Sequence, residues 1–280
     1  MKQLKQIITE KLRLDKNTKS YEHFRPQTID ELDVYVKKQK QKAKRNHGGY
    51  GTKDNPVDLS FIDFSELLNN TDTALEWYFD TDAEILYMDA SEWIIKPNVM
   101  VSLDHLFSDT SLKYIDVSNW QFNENIHSLS SLFIDSNYLE EIKGINTWDV
   151  QYITRINNMF RSCYNLQEID LSNWNTQLFD TCRSVFAGCK NIKKIDLTGW
   201  KTDEVKSFAR CFCNCFKLAT IKGIENFNMN KCKNIDNLFA DCHNLKINVD
   251  KWQFTTEPSM ENAFIGVDKK YWAKWYHENN

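Results

Sequence analysis

Apolar and polar positions repeat along this chain with a period near 26 residues. Phe107, Phe133, Phe160, Phe186, Phe212, Phe239 and Phe264 stand 26, 27, 26, 26, 27 and 25 residues apart. Three residues after each of five of them comes a small or thiol side chain, at Ser136, Cys163, Cys189, Cys215 and Cys242. Six after comes an aliphatic one, at Leu139, Leu166, Ile192, Leu218 and Leu245. A triplet follows in each unit: Ile115-Asp116-Val117, Ile142-Lys143-Gly144, Ile169-Asp170-Leu171, Ile195-Asp196-Leu197, Ile221-Lys222-Gly223 and Ile247-Asn248-Val249. An aromatic closes each unit, at Trp120, Trp148, Trp174, Trp200, Phe227 and Trp252.

The alternating triplet predicts a short strand with inward side chains around one outward side chain. Before the next Phe, Ile153, Ile156 and Met159, or Val205, Phe208 and Cys211, recur at steps that predict a short α- or 3₁₀-helix. One such coil cannot bury its own apolar face, but stacked coils turn every column into a ladder. The fold expected is an α/β solenoid, a leucine-rich-repeat-like right-handed coil of roughly 26-residue strand–helix units. The array extends upstream, because Ile85 to Trp93 aligns residue for residue with Leu112 to Trp120, with Phe79 as its leading Phe. Val57-Asp58-Leu59-Ser60 reads as a degenerate first strand. The solenoid is placed at 55–268.

The ends read differently. Leu4, Ile7, Ile8 and Leu12 predict a short amphipathic helix. Thr28, with Glu31 three residues on, predicts the N-cap of a second helix that runs into a basic stretch and ends near Asn46-His47-Gly48-Gly49. Residues 1–54 are thus expected to form a small helical, basic head, joined through Gly48-Gly49-Tyr50-Gly51 to the solenoid. Residues 269–280, with Tyr271, Trp272, Trp275 and Tyr276, predict a C-terminal capping helix.

Charge divides the chain. Residues 1–54 hold 14 Lys/Arg against 7 Asp/Glu, a net +7, which leaves −11 for the rest of a chain of net −4. Lys37, Lys38, Lys40, Lys42, Lys44 and Arg45 form the densest run. It reads first as a solvated helix face, and secondly as a basic patch for nucleic acid. No span approaches membrane length. Thr9-Glu10-Lys11 interrupts any apolar run at the start, so no signal peptide is read. A cytoplasmic or virion-associated chain is therefore expected over a secreted one.

Little chemistry stands out. Six histidines recur in no catalytic arrangement, and no phosphate loop, HExxH helix or GxSxG elbow is present. Seven of the eight cysteines fall on apolar columns, all but Cys213, and read as reduced core thiols. Cys211-x-Cys213-x-Cys215 lacks the pairing and histidine that a zinc site needs. No enzyme, cofactor or metal is expected. The Trp column reads as a core ladder rather than a stacking platform. The outward strand positions remain as the candidate partner face: Tyr87, Tyr114, Glu141, Glu168 and Lys194 in one column, and Asp89, Asp116, Lys143, Asp170, Asp196 and Lys222 in the next. Asp89, Asp116, Asp170 and Asp196 are expected to be solvated there or to bond across coils, rather than to act as paired catalytic carboxylates.

The stretch Ile169-Asp170-Leu171-Ser172-Asn173-Trp174-Asn175-Thr176, continued by Val185-Phe186-Ala187-Gly188-Cys189, resembles the repeat of BspA-like leucine-rich-repeat surface proteins, also called the mycoplasma lipoprotein-like repeat. Ile195 to Val205 resembles it too. Pro26-Gln27-Thr28-Ile29-Asp30-Glu31-Leu32 is similar to an element that precedes such arrays in gut-bacterial and phage members. The resemblance implies adhesion or another protein interaction through the solenoid, with no shared enzymatic activity and with display on a cell surface. The function expected is a non-enzymatic interaction or adhesion module that holds a protein partner on its outward strand face. The alternative is a phage or intracellular scaffold that touches nucleic acid through the basic head.

Overall fold

Five of the six triplets carry a short strand, each beginning one residue earlier than the triplet, and these strands pair in parallel with equivalent strands of neighbouring coils, whereas Ile247-Asn248-Val249 forms none. The computed structural model describes residues 23–47, 52–53, 56–70, 78–79 and 85–277. One sheet takes the order β1 (Val57–Asp58), β2 (Tyr87–Asp89), β5 (Tyr114–Asp116), β8 (Glu141–Lys143). A second joins β9 (Glu168–Asp170), β10 (Lys194–Asp196) and β11 (Thr220–Lys222). Registers are those the alignment requires: Met88 faces Ile115, Ile115 faces Ile142, and Ile169, Ile195 and Ile221 stand in line. Val57 pairs with Met88, so the degenerate first strand belongs to the ladder. Two further pairs, β3 (Ile94–Ile95) with β6 (Gln121–Phe122) and β4 (Val101–Ser102) with β7 (Ile126–Ser128), join the early coils. The result is a β-solenoid of about six turns.

The aromatic columns are its spine. Phe79, Phe107, Phe133, Phe160, Phe186, Phe212 and Phe239 stack with ring centroids 5.1–5.9 Å apart, and Phe264 ends the series at 5.4 Å. Trp93, Trp120, Trp148, Trp174, Trp200, Phe227 and Trp252 form a second stack at 4.8–6.4 Å. Offset stacking suits the aromatic quadrupole and adds about 1 kcal/mol per pair to the burial itself. Each Trp also donates its indole N–H to a carbonyl of the preceding coil, as from Trp120 to Ala90 and from Trp148 to Val117. The thiol column is bonded likewise. Cys163, Cys189, Cys215 and Cys242 point Sγ at the carbonyls of Phe133, Phe160, Phe186 and Phe212, 2.9–3.1 Å away, and Ser136 does the same to Phe107.

The helical half of the repeat is not helical. Residues around each Phe form turns, and nearly every second N–H there bonds to the next coil: Ser131 to Asn157, Phe133 to Met159, Asp135 to Arg161. The reason lies in two positions that flank each Phe. At Phe −2 stand His105, Ser131, Asn158, Ser184, Arg210, Asn237 and Asn262, and at Phe +2 stand Asp109, Asp135, Ser162, Gly188, Asn214, Asp241 and Gly266. All of them have φ between 50° and 79°. Two left-handed residues four apart in each coil leave no room for an α-helix, and Asn, Asp, Ser and Gly are the types that best tolerate this region. The apolar three-residue spacing came from successive turns, not from a helix face.

The two 27-residue intervals have a cause. In their coils the triplet ends in Gly144 and Gly223, at φ 80° and 84°, and each opens a one-turn 3₁₀ helix, Ile145–Thr147 and Ile224–Asn226. Ile145 and Ile224 then fill the inward place that Leu171 and Leu197 take elsewhere. A Cβ on Gly144 would sit 2.5 Å from the Ser118 Cα, so the extra residue requires glycine.

Both ends of the stack are covered. α1 (Ile29–His47) lays Leu32, Tyr35 and Val36 into the core, with Tyr35 stacked on Phe24 at 4.4 Å. Thr28 Oγ1 accepts the Glu31 N–H, as the capping pattern predicts. This helix is therefore packed on the solenoid rather than held apart as a head. The expected helix at Leu4–Leu12 and the Gly48–Gly51 connection lie outside the described residues. A short helix, α2 (Ser65–Asn70), interrupts the first coil. At the other end the expected capping helix is only a 3₁₀ turn, Lys269–Tyr271. Trp275 nevertheless stacks on Trp252 at 6.1 Å and donates to the Val249 carbonyl, which extends the Trp ladder by one step. Among the described residues no helix is long and apolar enough to cross a membrane.

Candidate functional site

Register brings the strand positions together as the sequence requires. Tyr87, Tyr114 and Glu141 stand in line, with Asp89, Asp116 and Lys143 beside them. In the second sheet Glu168 and Lys194 stand in line, beside Asp170, Asp196 and Lys222. Lys143, Glu168, Asp170 and Lys222 are exposed, and Tyr87, Asp89, Glu141, Lys194 and Asp196 are half-buried. Tyr114 and Asp116 depart from the expectation of an outward pair, for both are only 8% exposed. Lys53 lies over the Tyr114 ring, 5.7 Å from its centroid, and bonds to Glu141 at 2.5 Å. The chain that leads into the solenoid thus crosses this end of the face.

The aspartate column is not simply solvated either. Asp58, Asp89, Asp116, Asp170 and Asp196 each accept the backbone N–H two residues on, and all but Asp170 also accept the hydroxyl there. This is the Asx turn that bends the chain out of each strand. The second oxygen of Asp116 takes Lys143 at 2.6 Å, and that of Asp196 takes Lys222 at 2.9 Å, both across one coil. Burial resists ionisation of Asp116, but the hydrogen bonds from Lys143 and Ser118 outweigh it and hold its carboxyl below the ordinary range. Among the described residues no lysine pairs with Asp89, and burial with the neighbouring Asp58 and Asp116 pushes it up despite the bonds from Ser91. These carboxylates shape turns, which leaves Glu168 and Lys194 as the strand-face charges with least structural employment.

Seven of the cysteines are buried, all eight are unpaired, and Cys213 is half-buried. Burial raises the thiols of Cys163, Cys182, Cys211, Cys213 and Cys215, and those of Cys189 and Cys232 to about 12 and about 11, which keeps these seven protonated and inert at neutral pH. Among the described residues no three metal-binding side chains gather. On α1, Lys37, Lys38 and Lys42 are exposed and Lys40 is half-buried, while the side chains of Lys44 and Arg45 lie outside the described residues.

Sequence reasoning missed one feature. A groove of about 710 Å³ runs across the turns around Phe160, Phe186, Phe212, Phe239 and Phe264. Its floor is the position after Phe186, Phe212 and Phe239, where Ala187, Cys213 and Ala240 are small between Arg161 and Ile265 in the same column, and its wall is the fourth position after, where Tyr164, Lys190 and Phe216 are large. Lys190 Nζ sits 4.0 Å from the Tyr164 ring centroid. The run of small residues at Phe +1 in three successive coils was in the sequence, but a helical reading of the segment gave it no surface to belong to.

Stacked coils, interiors committed to ladders and continuous outer faces define a solenoid repeat protein, the architecture of an interaction module. The chain belongs to the family described as Mycoplasma protein of unknown function, DUF285, whose pattern matches residues 101–222 and 169–275. A solved leucine-rich repeat protein from Eubacterium ventriosum ATCC 27560 is similar at 12% identity and a TM-score of 0.36, over 71% of this chain and 72% of that one. Comparison with curated proteins finds no match.

Proposed function

We propose that this chain is a non-enzymatic protein-interaction module of BspA-like kind, suited to adhesion, which holds its partner on the exposed strand face of β8 to β11. In this reading residues 55–268 are the binding solenoid, residues 1–54 a helical, basic head and linker, and residues 269–280 the C-terminal cap. One observation carries it. The Phe, Trp, Cys and most Asp side chains are bonded coil to coil or within their own turn, while Glu168 and Lys194 recur in register on the surface with no such task. Charged side chains at fixed spacing on a rigid sheet give orientation and partner choice more than bulk affinity.

The test places a photo-crosslinking residue at Lys194, and as control at the exposed Lys206, which lies between Trp200 and Phe208 and outside the strands. A discrete protein adduct from position 194 alone, abolished by E168K, is expected. Equal adducts from both positions, or none from either, would refute a strand-face site.

A further inference from the structure

The groove over the turns is a second surface, and its chemistry is graded along its length. At the end nearer the N-terminus stand Arg161, Lys190 and Arg210, and at the other end Asp241 and the exposed Ile265. Among the described residues neither Arg161 nor Arg210 makes an ion pair. The three cations thus face one carboxylate, within a solenoid that carries excess negative charge.

Arg210 stands out further. It occupies the Phe −2 column at φ 59°, where Ser and Asn fill most other coils. A short side chain that bonds its own backbone costs less there, so the long cation is held outward at the expense of local stability.

Length narrows the occupant. Five coils at the parallel-strand spacing give about 20 Å, the span of about six extended residues. Phosphates or sulfates along a polyanion would need cations throughout, and Asp241 with Ile265 closes half the groove to them. A polypeptide that is acidic at one end and apolar a few residues on matches both halves. Phe216 and Ile265 supply apolar contact, and Asn214, Asn237 and Asn262 supply amides for its backbone.

We propose that this groove binds an extended acidic peptide segment of a protein partner, with carboxylates against Arg161 and Arg210 and an apolar side chain against Phe216 and Ile265. The site is separate from the strand face and does not rest on it.

Fluorescence anisotropy tests this with a labelled peptide of three glutamates, a glycine and two leucines. Controls are the same peptide with lysines for glutamates, and a short single-stranded DNA. Saturable binding of the acidic peptide is expected, weakened at least about tenfold by R161E together with R210E. A187W, which fills the floor without touching charge, should weaken it comparably, and E168K with K194E should leave it unchanged. No saturable binding, indifference to both groove variants, or DNA binding lost on R161E and R210E would overturn the assignment.

Discussion

At Asn158 the backbone holds φ 58° while its N–H bonds to the Arg183 carbonyl of the next coil. The left-handed φ recurs on both sides of every Phe from Phe107 to Phe264, with the bond to the next coil on both sides of all but Phe264, and it decides that this half of the repeat is a turn. A left-handed residue costs about 1–2 kcal/mol for most side chains, and Asn, Asp, Ser and Gly lessen or avoid that cost. Asn158→Val should therefore destabilise the protein by about 1–2 kcal/mol in urea unfolding, whereas Asn158→Gly should change it by less than about 0.5 kcal/mol. Equal stability of the two variants would remove left-handed strain as the cause. The signal was legible as two columns of turn-forming residues four apart. It was obscured because the apolar residues between them also fall at three-residue steps, so burial alone cannot separate a run of tight turns from a helix.

At the scale of the strand and its exit turn, neighbouring coils give opposite signs to one substitution. Asp116 is held below the ordinary carboxylate value of 3.8, so its pairing contributes stability above that pH and loses it as the pH falls through the lower folded value. Asp89 is raised above 3.8, so its ionised form opposes folding at neutral pH, and protonation relieves it. D116N should melt below the unsubstituted protein at pH 7, with the difference closing below about pH 4. D89N should melt at or above it. Matching losses in both variants would contradict the assigned roles. The strand triplets and their register were readable from the sequence because inward positions must be apolar in every coil. The roles of Asp89 and Asp116 were not, since an outward carboxylate and an Asx-turn carboxylate occupy the same position. The residue two further on, Ser91 or Ser118, is the distinguishing partner.

Across the whole molecule, what the period secures is contact between coils rather than structure within one. Phe and Trp stacks, thiol and indole bonds to the preceding coil, and strand pairing all run along the solenoid axis. Stability in such a stack is close to a sum over neighbours, so its ends matter, and α1 and Trp275 cover them. The strand-face residues Glu168 and Lys194 could be named from the sequence because strand alternation fixes which side they face. The groove with Arg161 and Arg210 could not, because its walls come from residues several places apart that only the turn geometry aligns. The central claim is that the Phe segments are bonded between coils and not within a helix. Amide hydrogen exchange at the recurring phenylalanines tests it directly. The N–H groups of Phe107, Phe133, Phe160, Phe186, Phe212 and Phe239 each reach a carbonyl in the following coil at 2.8–3.0 Å, and that of Phe264 has no such coil to reach. Six slow amides and a fast one at Phe264 are expected. Equal protection at Phe264, as a helical bond to residue 260 would give, would contradict it.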